Sequence, residues 1–342
     1  MALLCAWWRS KAPLVGSSVA ARKVHSIWAR QFSTVEVPAT RLDGVRGVLR
    51  LSGQTSISFL QNLVTNDLRP LDEPDPAKRP RAVYAVLMNA QGRHLHDMHI
   101  SRTADVTPTL LLDVDDSSRE ALLKALKRYR LRQAIDMDDV SDSFSVCVGS
   151  SSDAHAESWA PDSRLPLLGR RAVLPTSAKD LPSASEQGAR EFAQLRYALG
   201  VAEGDSEMAY GEAIPLEYNL EGLHGVSFDK GCYIGQELVA RIHFKGVIRK
   251  RLFPVRIGPG AATPQPGDKI FSAPGAAEKA KDRAAGVMRA VDASSGSGLA
   301  LLRLAAALPA AAGNEPQLMC GDAAVQPLVP NWWPEEWRQA PQ

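Results

Sequence analysis

Cysteine is scarce in this chain: four residues in 342, at Cys5, Cys147, Cys232 and Cys320, with no Cys-x-x-Cys pair. That count and spacing exclude a disulfide framework and a self-contained zinc site. Long apolar runs are also missing. A membrane-spanning helix needs about 20 apolar residues in succession, and the best candidate, from Leu299 to Ala312, is broken by Arg303 and Pro309. No membrane span is expected. Aromatic residues are few, at 6%, but hydrophobic residues make up 45% and charged residues 23%, a composition that buries a core and excludes wholesale disorder. Net charge is nearly absent too, with 40 basic side chains against 38 acidic ones.

The one marked local absence is of acids at the start. Residues 1–35 hold five basic side chains (Arg9, Lys11, Arg22, Lys23 and Arg30) and neither Asp nor Glu. An acid-free segment rich in Arg, Ser and Ala reads as a mitochondrial transit peptide. A secretory signal is the alternative, but its apolar core would be Ala2–Trp8, which is short and is followed, not preceded, by its charges. Taking those five cations from the 40 leaves 35 against 38 acids, a net of −3, so the body has little pull on phosphate backbones and no nucleic-acid partner is expected. The mature chain is expected in the mitochondrial matrix, with Cys5 removed and three thiols left.

The hydrophobic pattern predicts an α+β architecture. Strand-like runs at 45–51, 83–88, 110–114 and 144–148 alternate with amphipathic helices. One lies near 55–64; another begins at Ser117, which forms a capping-box pattern with Glu120 and turns Leu122, Leu123, Leu126 and Tyr129 inward. Segments 150–163 and 176–188 read as loops around a short strand near 171–174. A further helix carries Phe192, Leu195 and Leu199 on one face, with Gly200 at its left-handed cap. From Val247 onward, short β-like runs separated by Pro/Gly turns predict a small barrel or sandwich. The resulting division is 1–35 transit peptide, 36–149 first α+β portion, 150–245 second α+β portion, 246–330 barrel and 331–342 a Trp-rich tail, which is expected to pack back on the body.

The most informative segment runs from Asp229 to Arg241, DKGCYIGQELVAR. Gly231 and Gly235 permit tight or left-handed backbone, and Gln236–Arg241 can begin a helix. Cys232 then lies near a helix start and beside Lys230, both of which favour thiolate over thiol and suit a nucleophile or metal ligand. A buried cysteine acting as a small hydrophobe fits these local features equally well.

Lys230-Gly231-Cys232-Tyr233-Ile234-Gly235-Gln236-Glu237 resembles the signature of the YgfZ-like iron–sulfur assembly proteins, a branch of the folate-binding superfamily that contains the glycine-cleavage T-protein, an aminomethyltransferase. Residues 59–67 (FLQNLVTND), 129–132 (YRLR) and 214–217 (IPLE) resemble the same family, so the likeness spans about 37–303. Together with the leader and the Asn331-Trp332-Trp333 tail, the chain is similar to the mitochondrial members of that branch. The resemblance implies a ring of two α+β portions and a C-terminal β-barrel around a folate-sized cavity.

Two further comparisons bear on activity. Residues 87–97 (LMNAQGRHLHD) are similar to a T-protein stretch ending in two acids, one of which acts on the folate nitrogen; here Asp97 remains and His96 takes the preceding place. His94, His96 and His99 invite a metal reading, but on a strand His99 faces away from the other two, so solvated or cavity-lining histidines are expected. The T-protein glutamate that holds the pterin corresponds to Ala198, and a methyl group cannot replace that carboxylate, which argues against tight tetrahydrofolate binding. Arg196 is expected in a salt bridge on the helix surface, Cys147 in the core, and Cys320 after a turn-rich tail segment with no cationic helix start near it.

The resemblance therefore implies a factor acting late in iron–sulfur cluster assembly, in the maturation of 4Fe–4S proteins, and not a conventional enzyme. Its site residues would be Cys232, Lys230 and Asp97. Clusters are normally held by four thiolates, so Cys232 would be a ligand of a 2Fe–2S cluster shared with an A-type iron–sulfur scaffold protein, with 4Fe–4S client enzymes as further partners. A tetrahydrofolate-dependent aminomethyl or methyl transferase using Asp97 as acid/base group is the alternative.

Overall fold

The structure is a computed structural model and describes residues 37–150, 158–272, 284–308 and 318–339. All of these lie in one unit that starts at Glu36; the leader reading of 1–35 falls outside the described residues.

Among the described residues, fifteen strands follow one another as β1 (Thr40–Arg41), β2 (Arg46–Ser52), β3 (Val83–Met88), β4 (His94–Arg102), β5 (Thr109–Asp115), β6 (Asp136–Asp139), β7 (Phe144–Gly149), β8 (Ala160–Pro161), β9 (Arg170–Pro175), β10 (Lys250–Ile257), β11 (Lys269–Ser272), β12 (Gly286–Asp292), β13 (Ser297–Arg303), β14 (Leu318–Cys320) and β15 (Ala323–Pro327). They form an antiparallel five-stranded sheet in the order β3-β4-β5-β2-β6, a four-stranded sheet β1-β7-β9-β8, and a closed barrel β10-β13-β12-β11-β14-β15. The second sheet straddles residue 150, because β7 pairs with β9 from Phe144↔Pro175 to Gly149↔Arg170. The linear division at 149/150 thus cuts through a single sheet. The apolar run from Leu299 proves to be the end of β13 followed by a one-turn helix, Leu304–Ala307.

Among the described residues, four longer helices, α1 (Ser56–Gln61), α2 (Arg119–Arg130), α3 (Glu186–Leu199) and α4 (Gln236–Lys245), complete the frame. One face of the five-stranded sheet is apolar: Leu49, Leu51, Ala85, Leu87, Met98 and Leu112 pack against Phe59 and Leu60 of α1 and Leu122 and Leu126 of α2. Burying each of the Leu, Phe and Met side chains contributes about 1.5–3 kcal/mol. Tyr129 does not join them and is exposed. The capping box at Ser117 does not form either. Asp115 accepts from the Ser117 N–H at 2.8 Å, and α2 begins two residues later, at Arg119. The Ser117 hydroxyl itself donates to Asp115 Oδ1 at 2.6 Å, so Asp115, two residues earlier, is the capping acceptor. Gly200 does cap α3 in left-handed conformation at φ 72°.

The Trp-rich tail packs back on the body. Trp332 donates to the Leu199 carbonyl at 2.8 Å, Trp333 meets Phe253 edge-on, and the Arg251 guanidinium lies 3.5 Å from the Trp337 ring centre.

Candidate functional site

Three segments far apart in sequence meet around Cys232. The first is the turn after α1. Thr65 donates through Oγ1 to the Gly225 carbonyl at 2.6 Å, Ser227 N–H donates to the Thr65 carbonyl at 3.0 Å, and Asn66 donates to the His224 carbonyl at 2.6 Å. Gln61 braces the same turn by donating to Asp67 and accepting from the Leu68 N–H. The polar residues of 61–67 therefore fasten the chain that leads into Cys232.

Lys230 completes this fastening. Its Nζ donates to the carbonyls of Gln61, Val64 and Asn66 at 2.6, 2.6 and 2.8 Å. An ammonium has three protons, and all three are used. The expectation that Lys230 stabilises the sulfur directly is thereby corrected: its donors point into the 61–66 turn, and its effect on Cys232 is positional. The residue is buried, and that burial pulls its pKa down to about 8. A buried ammonium without acceptors is expensive, so these carbonyls are what make the position tolerable. Its ring neighbour is Tyr233, whose centroid lies 5.0 Å from Nζ.

The third segment is the β3–β4 hairpin turn. Gly235 has φ 79° and Gly92 φ 74°. A Cβ on Gly235 would sit 2.5 Å from the Asn89 carbonyl oxygen and 2.9 Å from the Gly92 Cα, and a Cβ on Gly92 would sit 2.8 Å from the Gly235 carbonyl oxygen. Both glycines are needed because two backbones touch with no room for a side chain. Asn89 shapes the turn by accepting from the N–H groups of Gln91 and Arg93 at 3.0 Å each. On the far side, the Tyr233 N–H donates to Gln236 Oε1 at 3.1 Å, closing the loop onto the first residue of α4.

Between these anchors Cys232 is exposed, whereas Cys147 and Cys320 are buried. Burial pushes the Cys147 thiol up to about 12 and moves that of Cys320 upward as well. Helix α4 starts at Gln236, so the thiol stands on the loop ahead of the helix and not within its first turn. Among the described residues, no group of three His, Cys, Asp or Glu side chains is placed to hold a metal ion.

Asp97 belongs to a different region. It lies on β4, buried, with Oδ1 accepting from the Gly204 N–H at 3.0 Å and Oδ2 3.5 Å from Arg46 Nη1. Around it runs an ionic cluster closed off from water. Arg46 pairs with Asp113 at 2.7 Å, Arg171 with Asp113 and with Glu203 at 3.2 Å, Arg164 with Asp162 at 2.8 Å and with Glu203, and Arg196 with Glu207 at 2.7 Å. Burial alone would raise the Glu203 carboxyl, but Arg171, Arg164 and Arg46 hold it well below the usual range. Burial does raise that of Asp97, against the pull of Arg46. Four guanidiniums, of Arg46, Arg164, Arg171 and Arg196, thus face five carboxyl groups, of Asp97, Asp113, Asp162, Glu203 and Glu207. Arg196 is in a salt bridge, as expected, but in the interior and not on the helix surface. Nothing in the spacing of these charges along the chain signals the cluster.

The three histidines do not converge. His99 sits 3.1 Å from Ser163 Oγ, His96 lies 3.4 Å from Asp205, and His94 is buried, which pulls its pKa down to about 4. Beyond His99 and Arg171 opens a cavity of about 250 Å³ lined also by Ser101, Leu111 and Phe144. Asp97 is not among the residues lining it.

The three-part architecture is that of the T-protein-like fold. It matches the crystal structure of the glycine cleavage system aminomethyltransferase T from Bartonella henselae with a TM-score of 0.57 at 9% identity, over 87% of this chain and 86% of that one. Residues 249–335 match the family model of the CAF17 C-terminal β-barrel domain. Relatives include the mitochondrial iron–sulfur cluster assembly factor IBA57 of Mus musculus, 36% identical over 315 residues, and that of Homo sapiens, 37% identical over 317; each match covers 86% of this chain and 85% of the relative. The IBA57 homolog of Mycosarcoma maydis is 38% identical over 252 residues, a match spanning 60% of that protein's length. The chain belongs to the IBA57 family of mitochondrial iron–sulfur cluster assembly factors.

Proposed function

We propose that the chain acts late in cluster assembly in the mitochondrial matrix, where Cys232 and an A-type scaffold protein together hold a 2Fe–2S cluster destined for 4Fe–4S enzymes. One observation carries this reading: among the described residues Cys232 is the only exposed cysteine, on a loop fastened at both ends. Iron–sulfur clusters are normally held by about four thiolates, so one accessible thiol on a fixed loop suits completion of a partner's coordination. Its proton leaves to solvent on ligation. Lys230 serves by fixing the loop, and Asp97 serves as structure, not as a ligand.

Weak or absent tetrahydrofolate binding is part of the same proposal. What supports it is the burial of Asp97 among ion pairs and the methyl group at Ala198, where the T-protein has a pterin-holding carboxylate. Calorimetry with tetrahydrofolate is expected to show no saturable heat; micromolar binding would restore the transferase alternative. Anaerobic reconstitution with a recombinant A-type scaffold tests the main reading. The visible cluster band of the mixed complex is expected to survive Cys147→Ala and Cys320→Ala and to vanish in Cys232→Ala. An unchanged band in the last variant would make the thiol structural and the reading wrong.

A further inference from the structure

We infer that the outer face of α4 and the segment following it form the docking surface for the partner, and that this partner presents an acidic, cluster-bearing surface with an apolar notch. The inference rests on the reading of Cys232 above and adds where the partner sits and what chemistry it must carry.

Three observations lead to it. Phe244 is 68% exposed and Val247 61%, two apolar side chains held in water at adjoining positions. Phe244 is nonetheless placed, not free: its ring stands edge-on to His243 at 4.7 Å, His243 stacks on Phe228 at 3.6 Å, and His243 Nδ1 lies 3.2 Å from Glu221. An exposed aromatic held in one orientation by its neighbours is the form that interface anchors take, because little side-chain entropy remains to be lost on binding.

The exposed charge that follows Glu237 in the chain is basic, and the acid Glu221 is engaged by His243. No acid occurs between Glu237 and Asp268, while Arg241, Lys245 and Arg249 are exposed and have no ion-pair partner among the described residues. On α4, Glu237, Arg241, Phe244 and Lys245 fall at i, i+4, i+7 and i+8 and are all exposed, whereas Val239 is buried. This stripe is therefore the solvent face of the helix.

Position and charge then select the occupant. Ten helical residues span about 15 Å, so the stripe extends about that far from the Cys232 loop. A stable protein–protein interface buries about 800 Å² on each partner, a footprint wide enough to cover both. The cargo itself supplies complementarity: two ferric ions, two sulfides and the three thiolates left to the partner sum to a charge of about −1, and to about −2 once the Cys232 thiolate is bound. A partner that brings this anion to Cys232 with acids around it meets Arg241, Lys245 and Arg249 as counter-charges, while Phe244 and Val247 enter its notch.

The test separates docking from ligation. Binding of a recombinant A-type scaffold protein, without and with its cluster, is measured by calorimetry at two salt concentrations against the full chain and its variants. Phe244→Asp and the double reversal Arg241→Glu/Lys245→Glu are each expected to weaken binding about tenfold or more, and the reversal to flatten the salt dependence. Circular dichroism should be unchanged, since these side chains are exposed. Cys232→Ala is expected to lose the cluster band yet bind the cluster-free scaffold within about threefold of wild type. Wild-type affinity and salt dependence in both surface variants would overturn the docking surface and leave Cys232 standing. A retained cluster band in Cys232→Ala would instead overturn the reading of the thiol. Tight binding of the wild type to anionic phosphatidylglycerol vesicles, lost in the double reversal and with no effect of the variants on scaffold binding, would assign the face to a membrane and overturn the proposal.

Discussion

The Cys232 loop and the ionic cluster around Asp97 are both built from charged side chains, and they use charge in opposite ways. At Cys232, a buried cation spends every proton on backbone carbonyls so that the loop bearing an exposed thiol is held in place. At Asp97, cations and anions neutralise one another in the interior and leave the carboxylate away from solvent. The lesson is that charge density alone does not mark a reactive centre. The buried set of ion pairs serves to join β2, β4, β5 and β9 to the segment after α3, and the accessible thiol lies outside it.

That contrast breaks in predictable ways. The largest effect is expected from Cys232→Ala, which removes the cluster band of the mixed complex while the thermal midpoint moves by less than about 2 °C, because an exposed side chain contributes little packing; differential scanning calorimetry beside the absorption spectrum checks both halves. Arg164→Met should do the reverse. It leaves Asp162 and Glu203 short of a counter-ion in the interior and is expected to cost about 3–5 kcal/mol in urea denaturation, with the cluster band kept wherever the protein is still folded.

Acid offers a third way to separate the regions. His94 stays neutral in the folded protein down to about pH 4, while an unfolded chain takes up that proton near pH 6.5. Its contribution is full above about pH 6.5 and is lost as pH falls towards 4, amounting to about 2 kcal/mol between pH 7 and 5. Asp97, whose carboxyl is pushed up, works in the opposite direction. Comparing wild type with His94→Gln at the two pH values isolates the histidine, and equal losses in both proteins would contradict its burial in neutral form.

The smallest effects should come from the anchors of the loop. Gly235→Ala forces a Cβ against the Asn89 carbonyl at a left-handed backbone position and is expected to cost about 1–3 kcal/mol. Lys230→Met should have a similar cost and should blur the alkylation of Cys232 by iodoacetamide into more than one rate. In wild type, peptide mapping should find Cys232 modified and Cys147 and Cys320 intact.

Much of the scaffold was legible beforehand where a single residue's conformational bias was enough. Val83–Met88 appears as a strand with the expected ends, and Gly200 caps α3 because no other residue adopts φ 72° so cheaply. The capping box at Ser117 was misplaced because another local acceptor, Asp115, stood two residues away. The role of Lys230 was misplaced for a different reason: its three acceptors lie 164 to 169 residues earlier in the chain. No window around the DKGCYIGQ segment contains them.

The sequence by itself determined the family, the barrel, the identity of the one cysteine set among glycines, and the presence of a lysine beside it. Those follow from side-chain chemistry and local backbone preference, which travel with the residue. Tertiary structure alone decided that Cys232 faces water while Cys320 does not, that Lys230 turns to carbonyls instead of sulfur, and that Asp97 is closed in by arginines. Each of these depends on which groups are stripped of water and which partners replace it, and that is settled only when distant segments meet.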